Sequence, residues 1–126
     1  MAIWLQYTLV AIGGALGATL RFAIEQGSQR WYGGQFPLGT LMANLLGCLI
    51  IGILLGSGMG QRFPGLRLGL GVGFLGALTT FSTFKAEIWS HLQEGSWTLA
   101  LANVGISLVA GLAMVALGAE LGKRWF

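Results

Sequence analysis

Four long stretches without a charged residue constrain this chain more than any other feature of its sequence. Their limits are Met1–Leu20, Pro37–Gln61, Leu68–Phe84 and Gly95–Ala119. A helix that crosses a bilayer needs roughly 17 to 25 mostly apolar residues, and each stretch has that length. Charged residues make up 9% of the chain, against about 25% in soluble globular proteins. The sequence therefore predicts an all-α protein in which residues 1–126 form a single transmembrane domain.

The turn-forming residues between the stretches set the predicted helix limits. The four transmembrane helices are predicted at Trp4–Ile24, Pro37–Gly56, Leu68–His91 and Trp97–Leu121. Polar and glycine-rich connectors are predicted at Gln26–Phe36 and Gly58–Arg67. Arginine and lysine are more frequent on the side that holds both termini, so the positive-inside rule mildly favours cytoplasmic termini. The difference is small, and insertion in both orientations stays open.

The third apolar stretch carries signs of an interruption. Glycine recurs before a Thr79–Thr80 pair, and hydroxyl residues continue through Ser82 and Thr83. Non-helical backbone at membrane depth is tolerated only where it lines a cavity or is buried in protein. Polar side chains at that depth usually face a pathway. The segment therefore predicts a third helix broken near its middle, between Gly76 and Thr80, as the working part of a small ion channel.

Composition argues against several other classes. A secretory signal at residues 1–20 would need a positively charged start and a soluble domain behind it. The sequence predicts neither of these features. The net charge of +3 comes from scattered residues, with no basic run for nucleic acid. The single Cys48 offers neither a disulfide nor a metal cluster. His91 is the only histidine and lies at a predicted helix end without a nucleophile, so no enzyme is predicted.

Glycines at four-residue spacing, such as Gly13 with Gly17 and Gly118 with Gly122, predict close helix packing. Four short helices in one subunit hardly enclose a watery path. An oligomer is therefore expected, and a dimer is the simplest closed form.

Three motifs resemble those of the Fluc (CrcB-type) fluoride channel family, and the similarity covers essentially the whole chain. They are Gly-Ala-Thr-Leu-Arg at residues 17–21, Gly-Thr-Leu-Met-Ala-Asn-Leu-Leu-Gly at 39–47, and Gly-Phe-Leu-Gly-Ala-Leu-Thr-Thr-Phe-Ser-Thr-Phe at 73–84. The resemblance implies an antiparallel, dual-topology homodimer with two fluoride pores in the bacterial plasma (inner) membrane. It implies passive export of fluoride from the cytoplasm, which limits fluoride toxicity. It also implies a structural sodium ion, not transported, at the dimer centre.

The predicted fluoride pore is built from rings and polar side chains. Phe81 and Phe84 lie one helical turn apart, and phenylalanine ring edges are electropositive. Asn44 supplies an amide donor. By resemblance, the rings match the family's aromatic box and Asn44 its pore asparagine, although this spacing alone would more often indicate core packing. Hydroxyl candidates for the remaining polar track are Thr40, Thr83 and Ser107.

The predicted sodium site uses backbone rather than side chains. Unwound helices in membrane proteins expose carbonyls that coordinate small cations. The family pattern places the ligands on the main chain of Gly76 and Thr79, giving four oxygens from two subunits. The alternative is a kink whose free groups are satisfied by serine and threonine hydroxyls.

Three charged residues flank the predicted pore. Arg21 matches the family's arginine at the end of the first helix, where it either draws anions into a vestibule or snorkels to headgroups. Glu87 matches a family acid and is expected to cap a partner helix or bond to backbone. Lys85 replaces a common serine, and a fixed charge holds anions more strongly than conduction favours. Reduced throughput, or an asymmetric pore in a hetero-dimer, is the expectation; the alternatives are snorkelling or a pair with Glu87 or an acid of the partner subunit.

A second class of function would also suit a small protein with four spans. A proton-coupled exporter of cationic drugs, similar to small multidrug transporters, has comparable length and span count but needs a carboxylate deep in its first helix. Residues 1–20 contain no acid. A non-conducting membrane assembly protein would leave the polar cluster of the third stretch unexplained.

Overall fold

The computed structural model describes every residue from Met1 to Phe126, and helices joined by short turns account for nearly all of them. The elements are α1 (Ile3–Trp31), α2 (Leu38–Ser57), α3 (Met59–Arg62), α4 (Pro64–Leu66), a π-helical segment (Arg67–Leu75), α5 (Gly76–Leu78), α6 (Phe81–Gln93) and α7 (Trp97–Trp125). Four helical stretches are long and apolar enough to cross a membrane, at Ile3–Trp31, Leu38–Ser57, Pro64–Gln93 and Trp97–Trp125. The prediction of an all-α, multi-pass membrane protein is confirmed.

The end of α1 differs from its prediction. The helix continues to Trp31, through residues that were predicted to belong to a connector beginning at Gln26. Glutamine and arginine have high helix propensity, so a helix can extend beyond the apolar core as an exposed polar turn. It ends just before Gly33, whose φ of 61° lies in the left-handed region that favours glycine. The second predicted connector likewise contains two short helices, α3 and α4.

Two residues with extended backbone lie between α5 and α6. Thr79 has φ −83° and ψ 151°, and Thr80 has φ −143° and ψ 114°. The π-helical segment that precedes them has a wider turn than an α-helix and is a rare conformation. The third span therefore changes backbone geometry more than once along its length.

Glycine faces bring the helices together in pairs. α2 packs against α7, and α1 packs against the π-helical segment and α5. A Cβ added at Gly52 or Gly118 would collide with a backbone carbonyl of the facing helix, and so would one at Gly13 or Gly17. The four-residue glycine spacings at these positions thus serve packing within the chain, by allowing backbones to approach closely.

Little of the chain is interior. Only 19 of the 126 residues are buried, and the central apolar cluster consists of Ala43, Leu75 and Leu78 with partly buried neighbours. Large apolar side chains such as Leu55, Val109 and Leu112 point outwards. In a membrane these outer surfaces contact lipid or another subunit, so the exposed apolar area is compatible with a bilayer rather than with water.

Candidate functional site

The two threonines between α5 and α6 redirect the hydrogen bonds of the third span. In a continuous helix, the Thr80 amide would donate to the Gly76 carbonyl four residues earlier. Here it donates to Asn44 Oδ1 at 2.8 Å. The Thr83 amide would donate to the Thr79 carbonyl, but it donates to Thr80 Oγ1 at 3.2 Å. The carbonyls of Gly76 and Thr79 therefore lose the donors that a helix would give them.

Asn44 of α2 binds both polar main-chain groups of Thr80. Asn44 Oδ1 accepts the hydrogen bond from the Thr80 amide, and Asn44 Nδ2 donates to the Thr80 carbonyl at 3.4 Å. The sequence predicted only that this amide faces a passing anion. The structure shows a second task, which is to hold α2 against the extended residues and to keep the Thr80 amide away from the Gly76 carbonyl.

Arg21 of α1 contacts the same region of backbone. Its Nε donates to the Ala77 carbonyl at 2.9 Å, and its guanidinium lies 3.6 Å from Glu25. The Ala77 carbonyl is another group whose helical donor would come from beyond the extended residues. Within this chain, Arg21 contacts the third span, and its role towards anions or headgroups stays a prediction. It satisfies a carbonyl, and an acid balances its charge.

The carbonyls of Gly76 and Thr79 fit a small hard cation. The hydroxyls of the extended threonines are used elsewhere, since Thr79 Oγ1 donates to the Leu75 carbonyl at 2.9 Å and Thr80 Oγ1 accepts the Thr83 amide. The alternative in which hydroxyls satisfy the kink therefore leaves these two carbonyls unaccounted for. Nothing lies within 4 Å of a Cβ added at Gly76, so there is room beside it. No group of three or more His, Cys, Asp or Glu side chains is placed to hold a metal ion.

An open groove brings most of the predicted pore residues together. The groove has a volume of about 490 Å³, and its lining includes Asn44, Gly76, Thr79, Phe81, Phe84 and Ser107. We call it the phenylalanine groove. Phe81 is 73% exposed, so its ring is available to a ligand or to another subunit. The residues predicted for the anion and those predicted for the cation thus border the same space.

A second, polar cavity holds the remaining candidates. Its volume is about 480 Å³, and Glu25, Thr40, Thr83, Glu87 and His91 contribute to its lining. The Thr40 hydroxyl donates to the Glu87 carboxylate, so this acid bonds within the chain to a side chain. Glu87 Oε2 and His91 Nδ1 are buried without a partner. The structure therefore divides the predicted hydroxyl track, with Thr40 and Thr83 here and Ser107 in the phenylalanine groove.

Lys85 lies beside the two rings rather than beside an acid. Its Nζ is 4.7 Å from the centroid of the Phe81 ring and 5.6 Å from that of Phe84. The ion pairs of the chain join Arg21 to Glu25 and Arg124 to Glu120. The alternative in which Lys85 pairs with Glu87 is thus not adopted within the chain.

Asn103 of α7 is a polar residue that the sequence analysis did not single out. It is 1% exposed, its Oδ1 accepts from Ser107 Oγ at 3.1 Å, and its Nδ2 is buried without a partner. An asparagine inside a charge-free apolar stretch was the available signal, by the same reasoning that drew attention to Asn44. Because the Ser107 hydroxyl donates its hydrogen to Asn103, this bond fixes the orientation of the hydroxyl.

These features define a class: a multi-pass membrane protein in which polar and aromatic side chains from several spans line cavities between helices, as in channels and transporters. The comparison with known families narrows the class. The chain belongs to the CrcB family, because the family model described as "CrcB-like protein, Camphor Resistance (CrcB)" matches residues 8–119. The predicted family resemblance is confirmed.

Named relatives are similar over nearly their whole length. "Fluoride-specific ion channel FluC 2" of Symbiobacterium thermophilum is 48% identical over 118 residues, covering 92% of this chain and 96% of the relative. "Fluoride-specific ion channel FluC" of Hydrogenovibrio crunogenus is 45% identical over 125 residues, covering 97% and 94%. The Shewanella baltica protein of the same name is 45% identical over 114 residues, covering 90% and 92%. These relatives are named ion channels, so the prediction of a non-enzymatic protein is confirmed.

Proposed function

We propose that this chain is a fluoride channel through which fluoride leaves the bacterial cytoplasm passively, with residues 1–126 as one channel domain in the plasma membrane. The names of relatives at 45–48% identity, fluoride-specific ion channels, support fluoride as the ion. The observation that carries the proposal in this chain is the phenylalanine groove, where an exposed aromatic ring borders amide and hydroxyl groups.

The chemistry of the groove suits a small, strongly hydrated anion. Fluoride gives up water only where electropositive groups replace it. The edges of the Phe81 and Phe84 rings carry positive partial charge. Phe81 is also the first residue of α6, and a helix N-terminus contributes about half a positive charge. Rings, helix end and amide together offer several weak contacts, which conduction requires.

The proposed route of fluoride between the two cavities follows the first turn of α6. Phe84 lines the phenylalanine groove, and the preceding Thr83 lines the polar cavity. The Thr83 hydroxyl supplies a donor between the two, while the Thr40 hydroxyl is engaged by Glu87. Fluoride would therefore leave the rings through Thr83 and enter the polar cavity past Thr40, with Ser107 on the groove side.

An antiparallel homodimer is the assembly we propose. The groove is open on one side and Phe81 is largely exposed, so a second subunit is needed to enclose an ion path. A two-fold dimer uses the same surface twice, which gives two equivalent pores. The small charge difference between the two sides of the membrane supports insertion in both orientations.

The proposed sodium ion lies on the dimer axis and is structural rather than transported. The carbonyls of Gly76 and Thr79 would hold it, with four oxygens when both subunits contribute. When bound, the ion supplies a fixed positive charge that satisfies these carbonyls and raises the potential near the anion routes. Asn44 and Arg21 would position these carbonyls through their hydrogen bonds with the neighbouring Thr80 amide and Ala77 carbonyl.

Proteoliposomes loaded with fluoride test the proposal. Purified protein should release fluoride down its gradient, detected with a fluoride electrode, and should leave a chloride gradient largely intact. A folded protein that leaves the fluoride gradient intact would refute the proposal. Drug-driven proton movement would instead support the exporter alternative, which nothing in the structure favours, since the only acid of α1 is Glu25 and it is paired with Arg21.

A further inference from the structure

Lys85 has an unusual environment for a cation in a membrane span. It follows Phe84 directly and lies one turn after Phe81 in α6. A charged side chain within a span normally finds an ionic partner or a watery cavity. Lys85 makes no ion pair, and its ammonium lies within 6 Å of both ring centroids, at 4.7 and 5.6 Å. The partners of this charge are therefore the faces of the two rings.

We propose that Lys85 is an affinity-determining residue of the anion site formed by Phe81 and Phe84. The inference rests on the proposed fluoride function and deepens it. An aromatic ring is negative on its face and positive at its edge. A cation over the face uses the negative part of the ring and leaves the edge free for an anion.

The Lys85 ammonium also strengthens the attraction between the ring edges and an anion. Its charge draws ring electrons towards the face, so the edge becomes more positive, and its own field reaches an anion at the edge. Lys85 and Phe81 are exposed in the single chain, so these fields act far more strongly than in water only where the proposed second subunit covers the rings. Lys85 therefore does not need to touch fluoride in order to hold it.

Tighter binding has a consequence for transport. Conduction requires sites weak enough to release the ion, so a site strengthened by Lys85 fills at lower fluoride concentration and empties more slowly. The native protein is expected to combine a low half-saturating fluoride concentration with a low maximal rate of efflux. A purely structural role for Lys85 would change the amount of folded protein, and not this relation between concentration and rate.

Three variants separate an effect of Lys85 on anion affinity from a purely structural role. Lys85→Met keeps the length and apolar contacts of the side chain but removes its charge, whereas Lys85→Arg keeps the charge and its contact with the rings. As a control, Lys123→Met removes the only other lysine, which lies near the C-terminus. Fluoride efflux is measured against fluoride concentration in proteoliposomes, and fluoride binding is measured by calorimetric titration of the purified protein in detergent.

Lys85→Met is expected to weaken fluoride binding and raise the half-saturating concentration by about tenfold, which corresponds to about 1.4 kcal/mol. Its maximal rate should rise. Lys85→Arg should keep the native affinity, and Lys123→Met should match the native protein in both measurements.

The two measurements distinguish the inference from the function on which it rests. Unchanged affinity and unchanged half-saturation in Lys85→Met, with native fluoride efflux, would overturn the inference alone. Fluoride binding that depends on Lys85 without any efflux would overturn the channel and leave the inference standing. Absence of both binding and efflux in the native protein would overturn both.

Discussion

Replacing Asn44 with leucine removes the side chain that keeps the Thr80 main chain out of a helical conformation. The variant takes away the acceptor that lies 2.8 Å from the Thr80 amide and the donor that lies 3.4 Å from its carbonyl. Leucine has a similar size and suits an apolar helix, so α2 itself should remain folded.

Two outcomes then compete for the Thr80 amide. An amide left without an acceptor inside a bilayer costs several kcal/mol. If the amide instead returns to the Gly76 carbonyl, a helical bond replaces an interhelical bond, whose average contribution inside membrane proteins is about 0.6 kcal/mol. The second outcome is cheaper and should dominate. Stability should therefore fall by only about 1 kcal/mol, while the Gly76 carbonyl becomes unavailable to a cation.

Sodium dependence and fluoride efflux report this change directly. In the native protein, replacing sodium by N-methylglucamine should lower the melting temperature in detergent, since a ligand of the folded state stabilises it. Asn44→Leu should lose that dependence, and its fluoride efflux should drop by about tenfold or more, the factor that corresponds to about 1.4 kcal/mol. A variant that keeps both the sodium dependence and native efflux would refute the reasoning.

Two further variants make the assignment specific. Asn44→Asp retains an oxygen that accepts the Thr80 amide, so sodium dependence should persist while an added acid lowers fluoride efflux. Ser57→Ala removes a hydrogen bond of 3.2 Å to the Leu54 carbonyl at the far end of the same helix and should leave efflux near the native level. Loss of efflux in Ser57→Ala would indicate that general loosening of α2, and not the contact with Thr80, is responsible.

Three other predictions concern the rings, the helix packing and the first span. Phe81→Ile and Phe84→Ile should each strongly reduce fluoride efflux from liposomes while the protein still folds, because isoleucine lacks a positive ring edge; native efflux in both would remove the rings from the mechanism. Gly118→Ala should lower stability in detergent by about 1–3 kcal/mol through overlap with the α2 backbone, whereas Gly105→Ala, with nothing within 4 Å, should not. Arg21→Lys keeps the charge but loses the Nε bond to α5, so efflux should fall because the Ala77 carbonyl loses its donor; native efflux would show that this contact does not position the pore.

The spans were predictable because hydrophobic length alone determines them, as Leu38–Ser57 illustrates by ending one residue from its predicted limit. The end of α1 was not, since outside the apolar stretch a polar helix and a polar connector have similar composition. The hydrogen-bond partners of the polar side chains were harder to predict than the helix limits. The sequence marked Asn44 and Arg21 as polar residues in apolar surroundings, but it could not show that both reach the backbone around α5, because that depends on how α1 and α2 pack against the third span.

The pattern of these partners bears on what occupies the extended region. Departing from a helix at Thr79 and Thr80 frees several backbone groups, and in a bilayer each unsatisfied group costs several kcal/mol. Side chains from α1 and α2 form hydrogen bonds with the Ala77 carbonyl and with both main-chain polar groups of Thr80. The carbonyls of Gly76 and Thr79 receive no side-chain donor, although hydroxyls are near enough to serve neighbouring groups. Two carbonyl oxygens are thus left without a side-chain donor within the chain, and the proposed cation, shared with the proposed second subunit, would bind them without any further side chain.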